Sequence, residues 1–159
     1  MNGDPDVIHL LNAVLTHELT AINQYFVHAK MLEDWGYRPL GRSKWKQSIV
    51  AMKEAEKVIE RVLFLDGVPN LQRLDPVRVG ESATEMHELD LQLGIEGRER
   101  LSEGIKLAYD KLDHATRELL EELLHQEEED IDWHEAQLHQ IEEVGKEMYL
   151  ASWLHEDDD

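Results

Sequence analysis

Four acidic residues occupy positions in helical stripes where the core of a helix bundle would take an apolar side chain. They are Glu18 in the first long helix, Glu54 in the second, and Glu127 and Asp130 in the last. A carboxylate in an apolar core costs several kcal/mol unless it is paired, protonated or bound to a cation. Carboxylates from several helices that meet in a bundle core are a usual way of holding iron or manganese.

The apolar stripes around these acids repeat with the helical period. On the first helix the stripe contains Val7, Leu11, Val14, Ile22, Tyr25, Ala29 and Leu32, and on the last it contains Leu120, Leu123, Leu138 and Ile141. His134 lies on the last stripe one turn beyond Asp130 and is expected to be a hydrogen-bonded core residue, with a distorted metal ligand as the other interpretation. Six other histidines fall beside core positions and are expected on surfaces: His17, His28, His87, His114, His125 and His139.

The composition limits the classes of function. The 159 residues suit a single domain over 1–159 and include no cysteine, which excludes disulfides and thiolate metal sites. A net charge of −19 argues against nucleic-acid binding. No apolar leader or membrane-spanning run is evident, so no membrane partner is expected and a cytoplasmic location is predicted. The acidic residues at about 155–159 are expected to form a solvated tail.

Capping residues and breakers divide the chain into helices. The first helix is predicted from Asp4 and Pro5 to about Trp35, and Pro39 and Gly41 predict a loop. The second helix is expected over about 43–65.

A third helix is expected after Ser82 to about Asp110, and a fourth after Asp113 to about Val144. Residues 67–81 show no helical stripe and are long enough for a crossover, so helices two and three can run parallel. A short fifth helix is expected over 146–154. The pattern predicts an all-α four-helix bundle with a crossover and a fifth C-terminal helix.

The second helix is apolar on more of its circumference than one bundle contact requires. Its second face consists of Trp45, Ile49, Met52, Ile59 and Leu63. A symmetric subunit interface would bury this face. Met52 lies at its centre, where it either fills a gap in the interface or acts as a thioether ligand to haem iron, and the pattern does not choose between these roles.

Three segments together resemble the bacterioferritins, and the similarity covers nearly the whole chain. They are 18–26 (ELTAINQYF), 59–72 with IER and FLDGVPNLQ, and 127–133 with EE and IDW. The resemblance implies a ferritin-like bundle in a hollow shell of twenty-four subunits that stores ferric mineral. It also implies b-type haem between paired subunits, with Met52 as axial ligand. The expected haem pocket comprises Leu19, Ile22, Asn23, Phe26, Trp45, Ile49 and Lys53.

The chain departs from the family at the di-iron oxidation site. The resemblance places iron ligands at Glu18 and Glu127, which are kept. Ala51 and Gly94 stand where the family has glutamates, while Glu54 and Asp130 stand where it has histidines. The altered set is interpreted as a protonated or water-bridged remnant, as a loose site for one Mg²⁺, Mn²⁺, Ca²⁺ or Fe²⁺, or as a working di-iron centre.

These observations support three hypotheses. The first is a haem-bearing shell subunit whose own iron-oxidation site is largely lost, beside a second, ferroxidase-competent subunit type. The second is an active ferroxidase that oxidises Fe²⁺ at the altered carboxylate site. The third is a helical assembly that binds neither iron nor haem. A ferredoxin-like protein is a candidate electron donor.

Overall fold

A computed structural model describes residues 1–154, and within this range the chain forms five α-helices and no β-strand. Their bounds are α1 Pro5–Asp34, α2 Arg38–Phe64, α3 Ala83–Asp110, α4 His114–Val144 and α5 Lys146–Ala151. The predicted all-α fold with four long helices and a short fifth helix is confirmed. The acidic tail predicted at about 155–159 lies outside the described residues. No helix in the described chain is long and apolar enough to cross a membrane.

Three of the helix starts are fixed by the side chains that the sequence predicts as caps. Asp4 accepts from the backbone N–H of Asp6, with Pro5 at the first helical position. Ser82 caps α3, and Asp113 caps α4 by accepting from the N–H of Thr116. Each cap satisfies an amide that has no partner inside its helix.

The start of α2 differs from the prediction. Helix α2 begins at Arg38 and not near residue 43, so Pro39 and Gly41 belong to its first turns and not to a loop. Proline is tolerated there because the first amides of a helix have no internal acceptor. Gly41 is buried, and a Cβ at this position would lie 2.8 Å from the carbonyl oxygen of Ala29. The glycine therefore permits a close approach of α1 and α2. The fifth helix also ends earlier than predicted, at Ala151.

Helices α1 and α2 pack along their lengths as one hairpin, and α3 and α4 pack as the other. The main apolar core lies between them and includes Val7, Leu11, Val14, Val58, Val62, Leu101, Leu120 and Leu123. A smaller core at the opposite end joins α5 to the bundle through Leu32, Leu40, Ala83, Met86 and Tyr149. The polar residues described below lie between these two apolar regions along α1 and α4.

The connection between α2 and α3 is tied to a polar stripe along α1. Side chains of this stripe accept main-chain N–H groups of the connection: Asn12 from Asn70, Thr20 from Asp75, Gln24 from Arg78, and His28 from Gly80. Because the acceptors advance along α1 with the connection, the segment crosses the length of the bundle. Helix α3 therefore starts near the end where α2 starts, and the expected crossover with parallel α2 and α3 is confirmed.

Candidate metal centre and apolar face

The four predicted acids come from three helices, as the stripes require. Glu18 on α1 is 2% exposed, and Glu127 on α4 is 6% exposed. Glu54 on α2 is also buried, whereas Asp130 on α4 is half-buried. Glu54, Glu127 and Asp130 each raise the pKa of Glu18, so the four carboxyls lie close enough to interact. We call Glu18, Glu54, Glu127 and Asp130 the carboxylate cluster.

A histidine that the stripe analysis placed on the surface joins this cluster. His17 is 2% exposed, and its Nε2 lies 3.3 Å from Oε2 of Glu127. One ligand atom each from His17, Glu18 and Glu127 lie within 4.8 Å of one another. The sequence signal was present, since Val14 and Ala21, one turn away on either side, are both buried. The buried part of α1 is therefore wider than the single stripe on which the surface prediction for His17 was based.

The surface prediction is also wrong for His28 and His87, which are both buried. It is confirmed for His114, His125 and His139, which are exposed. His134 is buried as predicted, with its Nε2 3.5 Å from the hydroxyl of Tyr25. Burial holds the pKa of His134 at about 3, so the ring is neutral at physiological pH.

The electrostatics of the carboxylate cluster favour the protonated, neutral form of its acids. Burial, followed by repulsion from Glu54, Glu127 and Asp130, raises the pKa of Glu18 well above its ordinary value. Burial, followed by repulsion from Glu127, raises the pKa of Glu54 to about 9 and that of Asp130 to about 7. Within residues 1–154, Oε1 of Glu18 and Oε2 of Glu54 are buried and have no hydrogen-bond partner. The site therefore needs protons or a bound cation.

Two buried positions beside the cluster carry no ligand atom. Ala51 packs with Ala21, Tyr25 and Leu93 in a small apolar group. Gly94 is buried on α3, and a Cβ there would lie 3.6 Å from Oε1 of Glu127 and 2.9 Å from Cγ1 of Ile131. Helix α3 thus contributes space and no donor at this level of the bundle.

A second buried polar group lies further along the bundle. Oδ2 of Asp90 accepts from Nζ of Lys44 at 2.7 Å, and its Oδ1 accepts from Nε2 of Gln24 at 2.9 Å. Nδ1 of His28 donates to the same carboxylate at 3.0 Å, because its Nε2 already accepts from Gly80. We call Gln24, His28, Lys44 and Asp90 the Asp90 network. Sequence analysis missed it, since Lys44 has no periodic signal that distinguishes it from a surface lysine.

Most of the predicted haem-pocket residues lie on the solvent side of α1 and α2, while Leu19 and Ile22 also pack against the core. Met52 is 50% exposed, and Phe26 and Trp45 are similarly open. Asn23 and Lys53 are exposed, while Leu19, Ile22 and Ile49 are half-buried. Because α1 and α2 form an antiparallel hairpin around Gly36, the two stripes lie at the same level of the bundle. Together they form an apolar face, which we call the outer face. It consists of Leu19, Ile22, Phe26, Trp45, Ile49 and Met52.

Comparisons with known proteins agree with this architecture. Residues 8–144 match the family model described as a ferritin-like domain. The chain is 46% identical to a bacterioferritin of Mycobacterium leprae over 151 residues, which cover 95% of each protein. It is 44% identical to a bacterioferritin of Streptomyces coelicolor over 156 residues, covering 98% of this chain and 93% of the relative.

The bundle and the matched model define a ferritin-like protein. The extent of the identity is more specific, and the chain belongs to the bacterioferritin family. Iron storage is the function that membership supports, and iron is the metal it implies.

Proposed function

We propose that this chain is a haem-bearing, iron-storing shell subunit whose own iron-oxidation site is largely lost. The observation that carries the haem part is Met52, which lies half-exposed at the centre of the outer face. A thioether in an apolar setting suits haem iron, and a two-fold axis through this face would supply a second Met52. When bound, b-type haem would supply one-electron chemistry, while the outer face would exclude water from the ring.

Loss of the oxidation site is supported by the absence of donors at Ala51 and Gly94. A two-metal site needs bridging carboxylates as well as charge, so two missing donors affect geometry and affinity together. In this proposal a second subunit type oxidises iron in a shared cytoplasmic shell of twenty-four subunits. A ferredoxin-like protein would be the electron donor for iron release.

The visible spectrum of the haem-loaded shell tests whether Met52 would hold the haem. Met52→Leu should preserve the assembly and lose the absorption bands of bis-thioether haem, because leucine has a similar size and no sulfur. Met148→Leu is the matched control, since Met148 is also exposed but lies on α5, away from the outer face. An unchanged spectrum in Met52→Leu would show that Met52 is not the ligand.

Sedimentation tests whether the outer face forms a subunit interface. Ile49→Asp places a charge in each symmetric contact, where an unpaired ion costs several kcal/mol, and should produce smaller species. Ile95→Asp on α3 is a control because Ile95 is already exposed. A shell that withstands Ile49→Asp would place the interface elsewhere.

Aerobic addition of Fe²⁺ to the isolated chain separates the proposal from the alternative of an active ferroxidase. We expect slow oxidation that Glu18→Ala hardly changes. Restoring Ala51→Glu, Glu54→His, Gly94→Glu and Asp130→His together should give fast oxidation, because such a site acts as a unit. Ile131→Ala should accompany Gly94→Glu, since the new Cβ would lie 2.9 Å from Cγ1 of Ile131. Rapid oxidation by the unmodified chain, abolished by Glu18→Ala, would favour the alternative.

A further inference from the structure

We infer that His17, Glu18 and Glu127 form a site for a single divalent transition-metal ion such as Zn²⁺, Mn²⁺ or Fe²⁺. The site would use one imidazole nitrogen and two carboxylate oxygens, which differs from a pair of irons bridged by carboxylates. The inference concerns residues of one bundle and is independent of the outer face and its haem.

The geometry brings three ligand atoms together from two helices. His17 and Glu18 are neighbours on α1, and Glu127 faces them from α4. The three ligand atoms lie within 4.8 Å of one another. Ligand atoms that share a zinc ion at about 2.1 Å lie roughly 3 to 4 Å apart. A small rotation of these side chains would therefore bring them into a coordination sphere.

Gly97 on α3 leaves the space that the imidazole occupies. A Cβ at this position would overlap Nε2 of His17 and lie 3.0 Å from Cδ of Glu127. Any larger residue would force the histidine ring away from the glutamate. The buried glycine therefore permits the His17 ring to face the carboxylates in the centre of the bundle.

An unpartnered oxygen is a second, independent indication of a ligand. Oε1 of Glu18 is buried, and no hydrogen-bond donor reaches it within the described part of the chain. Buried polar atoms in native proteins are rarely left without a partner, and exceptions are often explained by an ion or a water. Because the Glu18 carboxylate contributes one atom to the group with His17 and Glu127, a metal ion there would give this carboxylate a partner.

The donor set selects the class of metal. Carboxylates alone would suit Mg²⁺ or Ca²⁺, but an imidazole nitrogen shifts the preference to transition metals. Three protein ligands leave one position of a tetrahedral ion open to water. Glu54 and Asp130 are not members of this group of ligand atoms, so the site can hold its metal without them.

X-ray absorption at the zinc edge tests the inference on the assembled, metal-stripped full chain loaded with less than one Zn²⁺ per subunit. The unmodified protein should show one imidazole together with oxygen ligands. His17→Gln should remove the imidazole signature and weaken Zn²⁺ binding by more than about tenfold, since even outer-sphere partners of metal sites contribute that much. His125→Gln is the matched control because His125 is exposed on the same helix as Glu127.

Gly97→Ala provides a test that keeps all three ligands. Its methyl group occupies the space of the imidazole, so this variant should also lose the imidazole signature while circular dichroism confirms the helical fold. Zinc bound only through oxygen atoms in the unmodified protein, or an unchanged imidazole in His17→Gln, would overturn the inference. At higher loading, two zinc ions per bundle that share His17 would overturn it as well. None of these results changes the haem spectrum, so the two proposals fail separately.

Discussion

The carboxylate cluster and the Asp90 network both hold buried carboxyl groups within one bundle, yet these carboxyls have opposite properties. Burial raises the pKa of Glu18 and Glu54, and neighbouring acids raise it further. Burial also acts on Asp90, but Lys44 and then His28 more than offset it and hold the pKa of Asp90 below its usual range. The supply of donors, and not burial, therefore decides whether a buried carboxyl is charged.

The difference indicates what each region does. Asp90 accepts hydrogen bonds from three side chains on α1 and α2, so this network joins α3 to the other hairpin and gives the carboxylate its partners from within the protein. The carboxylate cluster contains oxygens without partners, which is costly for a structural element. A stabilising role accounts for the first region, whereas the oxygens of the second require a proton or a cation.

The largest effect should follow from breaking the Asp90 network on one side. Asp90→Ala leaves the ammonium of Lys44 fully buried without its carboxylate, and removing one member of a buried pair costs about 3–5 kcal/mol. The measurement is the free energy of unfolding in urea. A variant with the same midpoint as the unmodified chain would show that Lys44 finds another acceptor or reaches solvent.

The double variant Asp90→Ala with Lys44→Met separates the charge from the packing. Since it removes both partners of the pair, it should recover most of the stability that Asp90→Ala loses. If the double variant is as unstable as the single one, the loss comes from the cavity and from the freed His28 and Gln24.

These two regions also show what sequence patterns can predict. Periodicity predicts the helices and reveals the acids at Glu18, Glu54, Glu127 and Asp130, because a polar residue in an apolar stripe is conspicuous. The three caps follow from residue types at the helix starts, and the crossover follows from the length of the segment that has no stripe. His17, His28 and Lys44 escaped detection because their polar types suggest a surface and their partners are distant in sequence. Lys44 meets Asp90 only after α2 and α3 have packed, and Gly97 matters only because His17 points at it. Haem binding at Met52 remains a prediction from the resemblance.

A pH titration of stability should sharpen the contrast between the regions. Glu54 has a pKa of about 9 in the folded protein against an ordinary value of 4.5. Above pH 4.5 the unfolded chain releases this proton while the folded chain keeps it, so the group lowers stability as pH rises towards 9. For Asp90 the sign is reversed, since its lowered pKa adds stability that is lost only in acid, below its ordinary value of 3.8.

Glu54→Gln should therefore stabilise the metal-free protein at neutral pH, because glutamine imitates the protonated acid in both states. The interval from the ordinary pKa to pH 7 corresponds to about 3 kcal/mol, with a much smaller gain near pH 5. Glu56→Gln is the control, since Glu56 is exposed on the same helix and should show no such gain. Urea midpoints at pH 5 and pH 7 measure both; an equal gain at the two pH values would contradict the raised pKa of Glu54.

The smallest effect concerns the polar stripe that continues from the Asp90 network along α1. The Thr20 hydroxyl donates to the carbonyl of Thr16 and accepts from the N–H of Asp75 in the crossover. Thr20→Val keeps the shape and removes the acceptor, so one crossover amide loses its partner at a cost of about 1 kcal/mol.

Thr16→Val is a close control for this change, because the Thr16 hydroxyl donates only within α1, to Asn12, and is buried to a similar extent. Hydrogen exchange of the Asp75 amide should accelerate in Thr20→Val and stay unchanged in Thr16→Val. Exchange at the Gly80 amide should also stay slow in both variants, since His28 holds it through the Asp90 network. If Thr20→Val releases Asp75 and Gly80 together, the crossover opens as one unit and the network cannot anchor its end independently. If only Asp75 is released, the ion pair of Lys44 and Asp90 secures the start of α3, which is the structural role that distinguishes this region from the carboxylate cluster.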